Sequence, residues 1–232
     1  MSTTPKLGII ADDYTGATDL AGMIARQGLR VVQYLGVPEA IDEVDADCVV
    51  VALKSRSTPA ASAVADSIAA ARWLQSLGAR QLYFKYCSTF DSTDAGNIGP
   101  VADALAGLVS AHAVVFCPAT PEHGRTTYRG HHFVHDQLLS ESPLRHHPLN
   151  PMTDPNLRRV LARQTSTAVR LLDLMTIRSG RAEAALSAAT DRAFVIADTI
   201  SDDDVRAIAR ATRSAPLVTG GAALGAFLAA EG

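Results

Sequence analysis

Two adjacent aspartates, Asp12 and Asp13, close an apolar run near the start of the chain. The run, Leu7 to Ala11, has the composition of a buried strand, and the apolar spacing after Gly16 is typical of a helix. Carboxylates accept hydrogen bonds, which suits the hydroxyl groups of a sugar-like molecule. In open α/β sheets, ligands bind outside the carboxyl ends of the strands. The aspartate pair is therefore the first candidate for a site assembled from several strand ends.

Polar clusters follow three further predicted strands. Lys54-Ser55-Arg56-Ser57 follows the run 47–53, Ser88-Thr89-Phe90-Asp91-Ser92 comes just after the run 81–85, and the segment 120–125 comes after the run 113–117. The carboxyl ends of parallel strands lie at one edge of a sheet, so these clusters are expected to converge. Arginine and lysine can hold a carboxylate or a phosphate, arginine with two hydrogen bonds. The cationic candidates are Lys54, Arg56, Lys85 and Arg125.

The combination of carboxylates, hydroxyls and cations suits a small polyhydroxylated acid as ligand. The alternative is that Asp12 and Asp91 only cap helices or loops. Convergence of four such clusters favours a binding site over four unrelated caps.

The elements that must position these residues alternate along the chain. Strand-like runs at 7–11, 30–36, 47–53, 81–85, 113–117, 169–172 and 193–197 are separated by helical patterns. This alternation predicts an α/β fold with a doubly wound, mainly parallel sheet. The alternation breaks around 124–140, where β-forming residues surround Gly130 and predict a β-hairpin excursion. One later helix is predicted over 180–189, and another is capped by Ser201.

Composition restricts the function classes. The chain has 232 residues and a net charge of −3, so it lacks the basic surface that nucleic-acid binding requires. No apolar run approaches the roughly 18 residues of a membrane span, and the first residues show no signal sequence. Three widely spaced cysteines suit reduced thiols. We therefore expect a cytoplasmic protein that contacts neither nucleic acid nor membrane.

Two glycine-containing motifs leave alternatives open. The segment 96–100, GNIGP, opens a predicted helix whose free N–H groups favour an anion, but an ordinary tight turn explains it as well. Thr219-Gly220-Gly221 fits either a phosphate-binding turn or close backbone packing. The turn ADDYTG lacks the glycines that a dinucleotide pyrophosphate requires, which disfavours an oxidoreductase of the Rossmann type.

No metal site is predicted, although five histidines lie at positions 131, 132, 135, 146 and 147. No carboxylate or cysteine lies at a recognised ligand spacing from them. Cys87 and Cys117 follow apolar strands, which favours core packing over a nucleophilic role. A serine hydrolase is disfavoured because the chain has no G-x-S-x-G motif.

With these residues identified, the sequence resembles the four-carbon acid sugar kinase family, formerly catalogued as a domain of unknown function. Five segments carry the resemblance in the order of the family: IADDYTGATDLA, VALKSRS, FKYCSTFDSTDAGNIGPVADAL, CPATPEHGRTTYRGHHFV and HPLNPMTDPNLRRVLARQT. The third is most similar to the 3-oxo-tetronate kinase branch, whose members phosphorylate the 4-hydroxyl with ATP. Threonate and erythronate kinases form the sister branches.

The resemblance covers one of two domains. Family members are roughly twice this length, and residues 1–232 match only the N-terminal sugar-acid-binding domain. The resemblance thus implies that ATP and Mg²⁺ bind a C-terminal nucleotide-binding domain absent from this chain, and that this chain alone is inactive. It implies a sugar acid and a separate nucleotide-binding domain or chain as partners, and it leaves a homo-oligomer open. His123 departs from the asparagine that relatives often carry before the Gly-Arg pair.

The resemblance also implies roles for individual residues. Asp12 and Asp13 would be catalytic, orienting substrate hydroxyls, with one of them acting as the base. Arg56, Lys85 and Ser88 would hold the carboxylate. Further substrate-binding candidates are Thr15, Gly16, Lys54, Ser55, Asp91, Asn97 and Arg125. For Asp91 and Asn97 the alternative is to brace the loop. The competing function is a non-catalytic sugar-acid-binding or regulatory module.

Overall fold

A computed structural model describes residues 5–40 and 44–231. Its strands are β1 (Leu7–Ala11), β2 (Val31–Leu35), β3 (Cys48–Ala52), β4 (Gln81–Lys85), β5 (Ala113–Cys117), β6 (Arg125–Tyr128), β7 (His131–Val134), β8 (Gln137–Leu138), β9 (Ala168–Leu172), β10 (Ala193–Ala197) and β11 (Leu217–Gly220). Eight of them form one sheet in the order β2-β3-β1-β4-β11-β5-β10-β9, with every neighbouring pair parallel. The predicted doubly wound α/β fold is confirmed.

Helices cover both faces of this sheet. They are α1 (Tyr14–Arg26), α2 (Ala60–Ser76), α3 (Ile98–Leu108), α4 (Leu157–Ala162), α5 (Leu174–Arg178), α6 (Ala182–Ser187), α7 (Asp202–Thr212) and α8 (Ala222–Glu231). One core lies between the sheet and α2, α3 and α4, and the other between the sheet and α1, α7 and α8. Within the described residues no helix is both long and apolar enough to span a membrane.

The helix predicted over 180–189 is confirmed by α6, which begins and ends slightly inside that range. A further short helix, α5, which the sequence pattern does not predict, precedes α6 and is separated from it by Gly180. Gly180 has a positive φ of 74°, a left-handed conformation that ends α5 and that glycine adopts without steric cost. The prediction for Ser201 is confirmed, because its side chain and that of Asp204 form a reciprocal capping box at the start of α7.

The predicted hairpin is confirmed and extends to a third strand. β6, β7 and β8 form a small antiparallel sheet that leaves the main sheet after β5. Arg129 and Gly130 both have positive φ, as a tight two-residue hairpin loop requires. Thr127 and Thr199 exchange two backbone hydrogen bonds of 2.8 Å, which attach this small sheet to the end of β10. The excursion therefore lies at the carboxyl edge of the main sheet.

Candidate functional site

An ion-pair cluster of Asp12, Asp13 and Arg56, here named the Asp12 cluster, lies where β1 and β3 end. Arg56 donates two hydrogen bonds to the carboxylate of Asp12, from Nε at 2.9 Å and from Nη2 at 2.8 Å. The same Nη2 lies 2.5 Å from Oδ1 of Asp13. The backbone carbonyl of Asp12 also accepts hydrogen bonds from the N–H groups of Ser55 and Arg56. Adjacent parallel strands thus bring together residues more than 40 positions apart in sequence.

Burial controls the electrostatics of this cluster. Burial raises the pKa of Asp12, while the hydrogen bonds and positive charge of Arg56 act against that rise. For Arg56, burial lowers the pKa, but the hydrogen bonds and charge of Asp12 outweigh burial and raise it. The side chain of Asp13 is 25 % exposed, against 7 % for Asp12. Asp13 is therefore the carboxylate that a ligand can reach more readily.

Asp13 also begins the first helix. Its Oδ2 accepts a hydrogen bond of 3.1 Å from the N–H of Gly16, so it is the N-cap of α1. Lys85, buried at the end of the neighbouring strand β4, donates from Nζ to the carbonyl of Tyr86 at 3.0 Å. A Cβ at Gly16 would overlap this ammonium group. Glycine at this position is what allows the helix to approach Lys85.

The loop after β4 adds a third carboxylate. Oδ2 of Asp91 lies 3.9 Å from Nη1 of Arg56, and its Oδ1 accepts a hydrogen bond of 2.6 Å from Thr89. Sγ of Cys87 lies 3.0 Å from the same threonine hydroxyl. Burial raises the pKa of the Cys87 thiol, which disfavours the thiolate that a nucleophile requires. Sequence analysis places Thr89 in a polar cluster but does not predict that it links these side chains.

Asn97 braces the loop that carries Arg56. Its Nδ2 donates to the carbonyl oxygens of Ser55 at 2.7 Å and Thr58 at 2.9 Å. Its Oδ1 is buried and accepts no hydrogen bond from any residue that the structure describes. The N–H of Gly99, in the first turn of α3, already donates to Oε1 of Gln164 at 2.9 Å. This N–H group is one that an anion could have bound, and it is bonded to Gln164 instead. Sequence analysis did not identify Gln164.

The other predicted site residues differ in how far they are exposed. Thr15 and Lys54 are exposed at the same edge, Ser55 is buried, and Ser88 is partly buried. Arg125 lies on β6 and donates to the carbonyl of His123. In the sheet order, strand β11 lies between β4 and β5, the strand that the segment 120–125 follows.

Among the described residues, four buried polar atoms near the small antiparallel sheet have no hydrogen-bond partner: Thr120 Oγ1, Arg125 Nε, His132 Nε2 and Asp198 Oδ2. His132 is fully buried, and burial lowers its pKa to about 4. Its Nδ1 lies 3.0 Å from the hydroxyl of Thr127, while Nε2 lies near the backbone of Ser88 without a well-formed hydrogen bond. The imidazole is therefore neutral at pH 7.

The structure accounts for the glycines of the Thr219-Gly220-Gly221 motif, and it also bears on metal binding. A Cβ at Gly221 would overlap the carbonyl oxygen of Pro118, and one at Gly220 would lie 2.7 Å from the hydroxyl of Tyr83, so close backbone packing accounts for this pair. In the described part of the chain no group of three or more His, Cys, Asp or Glu side chains could hold a metal ion. Asp12, Asp13 and Asp91 instead surround the guanidinium of Arg56.

Comparisons with known proteins identify relatives of this chain. The chain is 55 % identical over 227 residues to a Burkholderia multivorans protein named 3-oxo-tetronate kinase, covering 96 % of this chain and 53 % of the relative. A Pseudomonas fluorescens protein of the same name is 53 % identical and is covered to the same extent, with 95 % of this chain matched. The chain thus spans about half the length of the curated relatives it matches.

Solved structures share both fold and sequence with this chain. A crystal structure of a Haemophilus influenzae protein matches with a TM-score of 0.93 and 42 % identity, covering 96 % of this chain and 55 % of that one. A Bordetella bronchiseptica structure, described as a domain-swapped dimer with bound citrate, matches with a TM-score of 0.83 and 28 % identity, covering 98 % and 57 %. The family described as the sugar-binding N-terminal domain matches residues 7–228, and the chain belongs to that family.

Proposed function

We propose that this chain is the substrate-binding domain of an ATP-dependent kinase that phosphorylates the 4-hydroxyl of a four-carbon sugar acid. The observation that carries the proposal is the cluster of Asp12, Asp13 and Arg56 beside the buried Lys85. Membership of a sugar-binding family and relatives named 3-oxo-tetronate kinase support this substrate class. Threonate and erythronate are the other candidate substrates.

Within this proposal the two aspartates have different roles. Both oxygens of Asp12 are held by Arg56, so Asp12 positions the guanidinium rather than the substrate. Asp13 is more exposed, and it orients the 4-hydroxyl and accepts its proton. Its fixed position as the N-cap of α1 keeps the carboxylate in place, which favours transfer by positioning.

Lys85 is the proposed anchor for the substrate carboxylate. An ammonium group has three donors, and the Tyr86 carbonyl accepts one hydrogen bond from it. Arg56 is already engaged by Asp12 and Asp13, so it shapes the site more than it holds the ligand. Ser88, Thr15, Lys54, Ser55 and Arg125 are proposed to contribute contacts at the rim. The bound citrate of the Bordetella structure supports organic-acid binding in this family.

The phosphate donor belongs to another part of the proposed enzyme. Phosphoryl transfer requires metal-neutralised phosphates as well as a positioned hydroxyl. Asp12 and Asp13 are paired with Arg56, so we assign ATP and Mg²⁺ to a nucleotide-binding domain on the same or a separate chain. This chain alone is then expected to bind substrate without turnover. A homo-oligomer is consistent with the domain-swapped dimer described for the Bordetella relative.

Isothermal titration with 3-oxo-tetronate, threonate and erythronate tests the binding role. We expect saturable binding of at least one acid, abolished or weakened at least about tenfold by Lys85→Met and by Asp13→Asn. Asp19→Asn, an exposed aspartate of α1, is the matched control and should bind like the unmodified chain. Unchanged binding in both site variants would contradict the proposal.

The second candidate function is a non-catalytic sugar-acid-binding or regulatory module, which the match to a sugar-binding domain supports equally well. Both functions predict binding, so an ATP-consumption assay separates them. The assay combines this chain with the C-terminal half of a full-length relative. Consumption of ATP that depends on the sugar acid supports the kinase, and its absence with intact binding supports the module.

A further inference from the structure

A second cavity lies at the opposite, amino-terminal edge of the main sheet. It has a volume of about 420 Å³ and lies between the starts of β1 and β4 and the ends of α7 and α8. Strands β1 and β4 have five residues each, so about 15 Å separates this cavity from the Asp12 cluster. The two sites therefore do not share residues.

Three cationic side chains line this cavity: Lys6, Arg80 and Arg213. None of its lining residues in the described ranges is Asp or Glu. Leu7 pairs with Gln81 in the sheet, so the residues that precede them, Lys6 and Arg80, occupy neighbouring positions. Like charges at neighbouring strand positions repel, and an anion between them would remove that cost.

One carboxylate outside the cavity pairs with a cation of its rim. Nη2 of Arg213 lies 3.9 Å from Oε2 of Glu183, in a pair whose side chains are more than half exposed. Such exposed pairs contribute little and can rearrange. Lys6 lies within electrostatic range of Asp47.

The base of the cavity is apolar and rigid. Leu7, Leu228 and Ala229 contribute apolar surface, and all three are buried in the core. Nε2 of Gln81 donates to the carbonyls of Thr212 at 2.8 Å and Ala215 at 2.6 Å, which fixes one wall. A preformed apolar base with a cationic rim suits a ligand that has a short apolar body and a doubly charged head.

We propose that this cavity is a binding site for a phosphate monoester with a short apolar body. The dianionic head would lie between Lys6, Arg80 and Arg213, and the body against Leu228. This proposal does not rest on the proposed kinase function, because no residue of the Asp12 cluster takes part in it.

Backbone amide chemical shifts of the labelled chain test the site at constant ionic strength. Phenyl phosphate, inorganic phosphate and benzyl alcohol serve as probes. We expect saturable shifts with phenyl phosphate at Leu7, Gln81, Ala215 and Leu228, weaker binding of inorganic phosphate, and no saturable shifts with benzyl alcohol. Shifts confined to the surroundings of Gly16, or no saturation with phenyl phosphate, would overturn the proposal.

Charge reversal gives the second arm. Arg80→Glu should weaken phenyl phosphate binding by about tenfold or more, since it replaces attraction by repulsion. Arg72→Glu, which makes the same charge change on the exposed surface of α2, is the control and should leave binding unchanged. If Arg80→Glu fails to fold, Arg213→Gln takes its place, with a smaller expected loss. Equal affinity in the cavity variant and the control would contradict the site.

Discussion

Asn97 donates a hydrogen bond of 2.7 Å to the carbonyl oxygen of Ser55, although the two residues are 42 positions apart in sequence. The bond joins the start of α3 to the loop after β3, and a second one, to Thr58, closes that loop from the other side. Arg56 lies between these two anchored carbonyls. The geometry of the Asp12 cluster therefore depends on the side-chain amide of Asn97, which does not contact the carboxylates of the cluster.

Replacing Asn97 by Ala should loosen this loop. Two buried carbonyl groups lose their donor, so we expect the free energy of unfolding to fall by about 1–3 kcal/mol. Sugar-acid affinity should fall as well, because Arg56 is no longer held. Denaturant unfolding and titration measure the two effects. A variant that keeps full affinity would show that Arg56 is positioned by its aspartates alone.

Gly16→Ala should weaken ligand binding although alanine favours helices. In an exposed helix interior this change stabilises by about 1 kcal/mol. At Gly16, however, the added Cβ would overlap Nζ of Lys85 and lie 2.5 Å from Oδ1 of Asp13, so Lys85 must move. We expect at least about a tenfold loss of sugar-acid affinity by titration.

Gly22→Ala, in the same helix, is the matched control for Gly16→Ala. A Cβ there would meet nothing nearer than Nη1 of Arg26 at 3.8 Å. This variant should be slightly stabilised and should bind normally. Equal affinity of the two variants would contradict the role assigned to Lys85.

The sequence predicted the fold class and the edge at which the site forms, but not the order of the strands. The strand runs and their polar ends follow from local composition. The position of β11 between β4 and β5 depends on contacts with the C-terminal part of the chain, which no local pattern encodes.

The sequence likewise treated Asp12 and Asp13 as equivalent. Their difference arises from a single step along the backbone. Asp12 follows the last residue of β1 and points to the loop after β3, whereas Asp13 already caps α1. Sequence analysis names Asp12 and Asp91 as possible caps, whereas the structure assigns helix capping to Asp13. The sequence does not identify Arg56 as the common partner of the two aspartates, because that pairing depends on which strand lies next to β1.

Removing the guanidinium should change how stability depends on pH. In Arg56→Met, burial raises the pKa of Asp12 without the opposing effect of Arg56. A carboxyl whose pKa is raised on folding stabilises the protein while protonated, and that contribution is lost as pH rises through the folded pKa. The variant should therefore lose more stability than the unmodified chain as pH rises above 3.8, the ordinary pKa of an aspartate.

Urea unfolding at several pH values measures this difference, and Arg72→Met is the control for loss of one positive charge. At pH 8 we expect the Arg56→Met variant to be destabilised by about 3–5 kcal/mol, the usual cost of leaving a buried charge without its partner. A loss that does not vary with pH would show that Asp12 does not titrate in this range.

His132 should make stability fall as the solution becomes acidic. Its folded pKa is about 4 because the ring is buried, against an ordinary value of 6.5. Below pH 6.5 the unfolded chain binds a proton that the folded protein does not, so stability present at pH 7 is lost as pH falls towards 4. The full difference corresponds to about 3 kcal/mol, at roughly 1.4 kcal/mol per pH unit.

The difference between the unmodified chain and His132→Asn isolates this effect from the carboxyl groups. Asparagine places a polar atom near the position of Nδ1, which lies 3.0 Å from the hydroxyl of Thr127, but it does not titrate. We expect the variant to start less stable at pH 7 and to lose less stability between pH 7 and pH 4.5. His146→Asn, at an exposed position, should follow the unmodified chain. Parallel curves for the unmodified chain and His132→Asn would mean that His132 is accessible to protons in the folded state, and that the small antiparallel sheet opens at its edge.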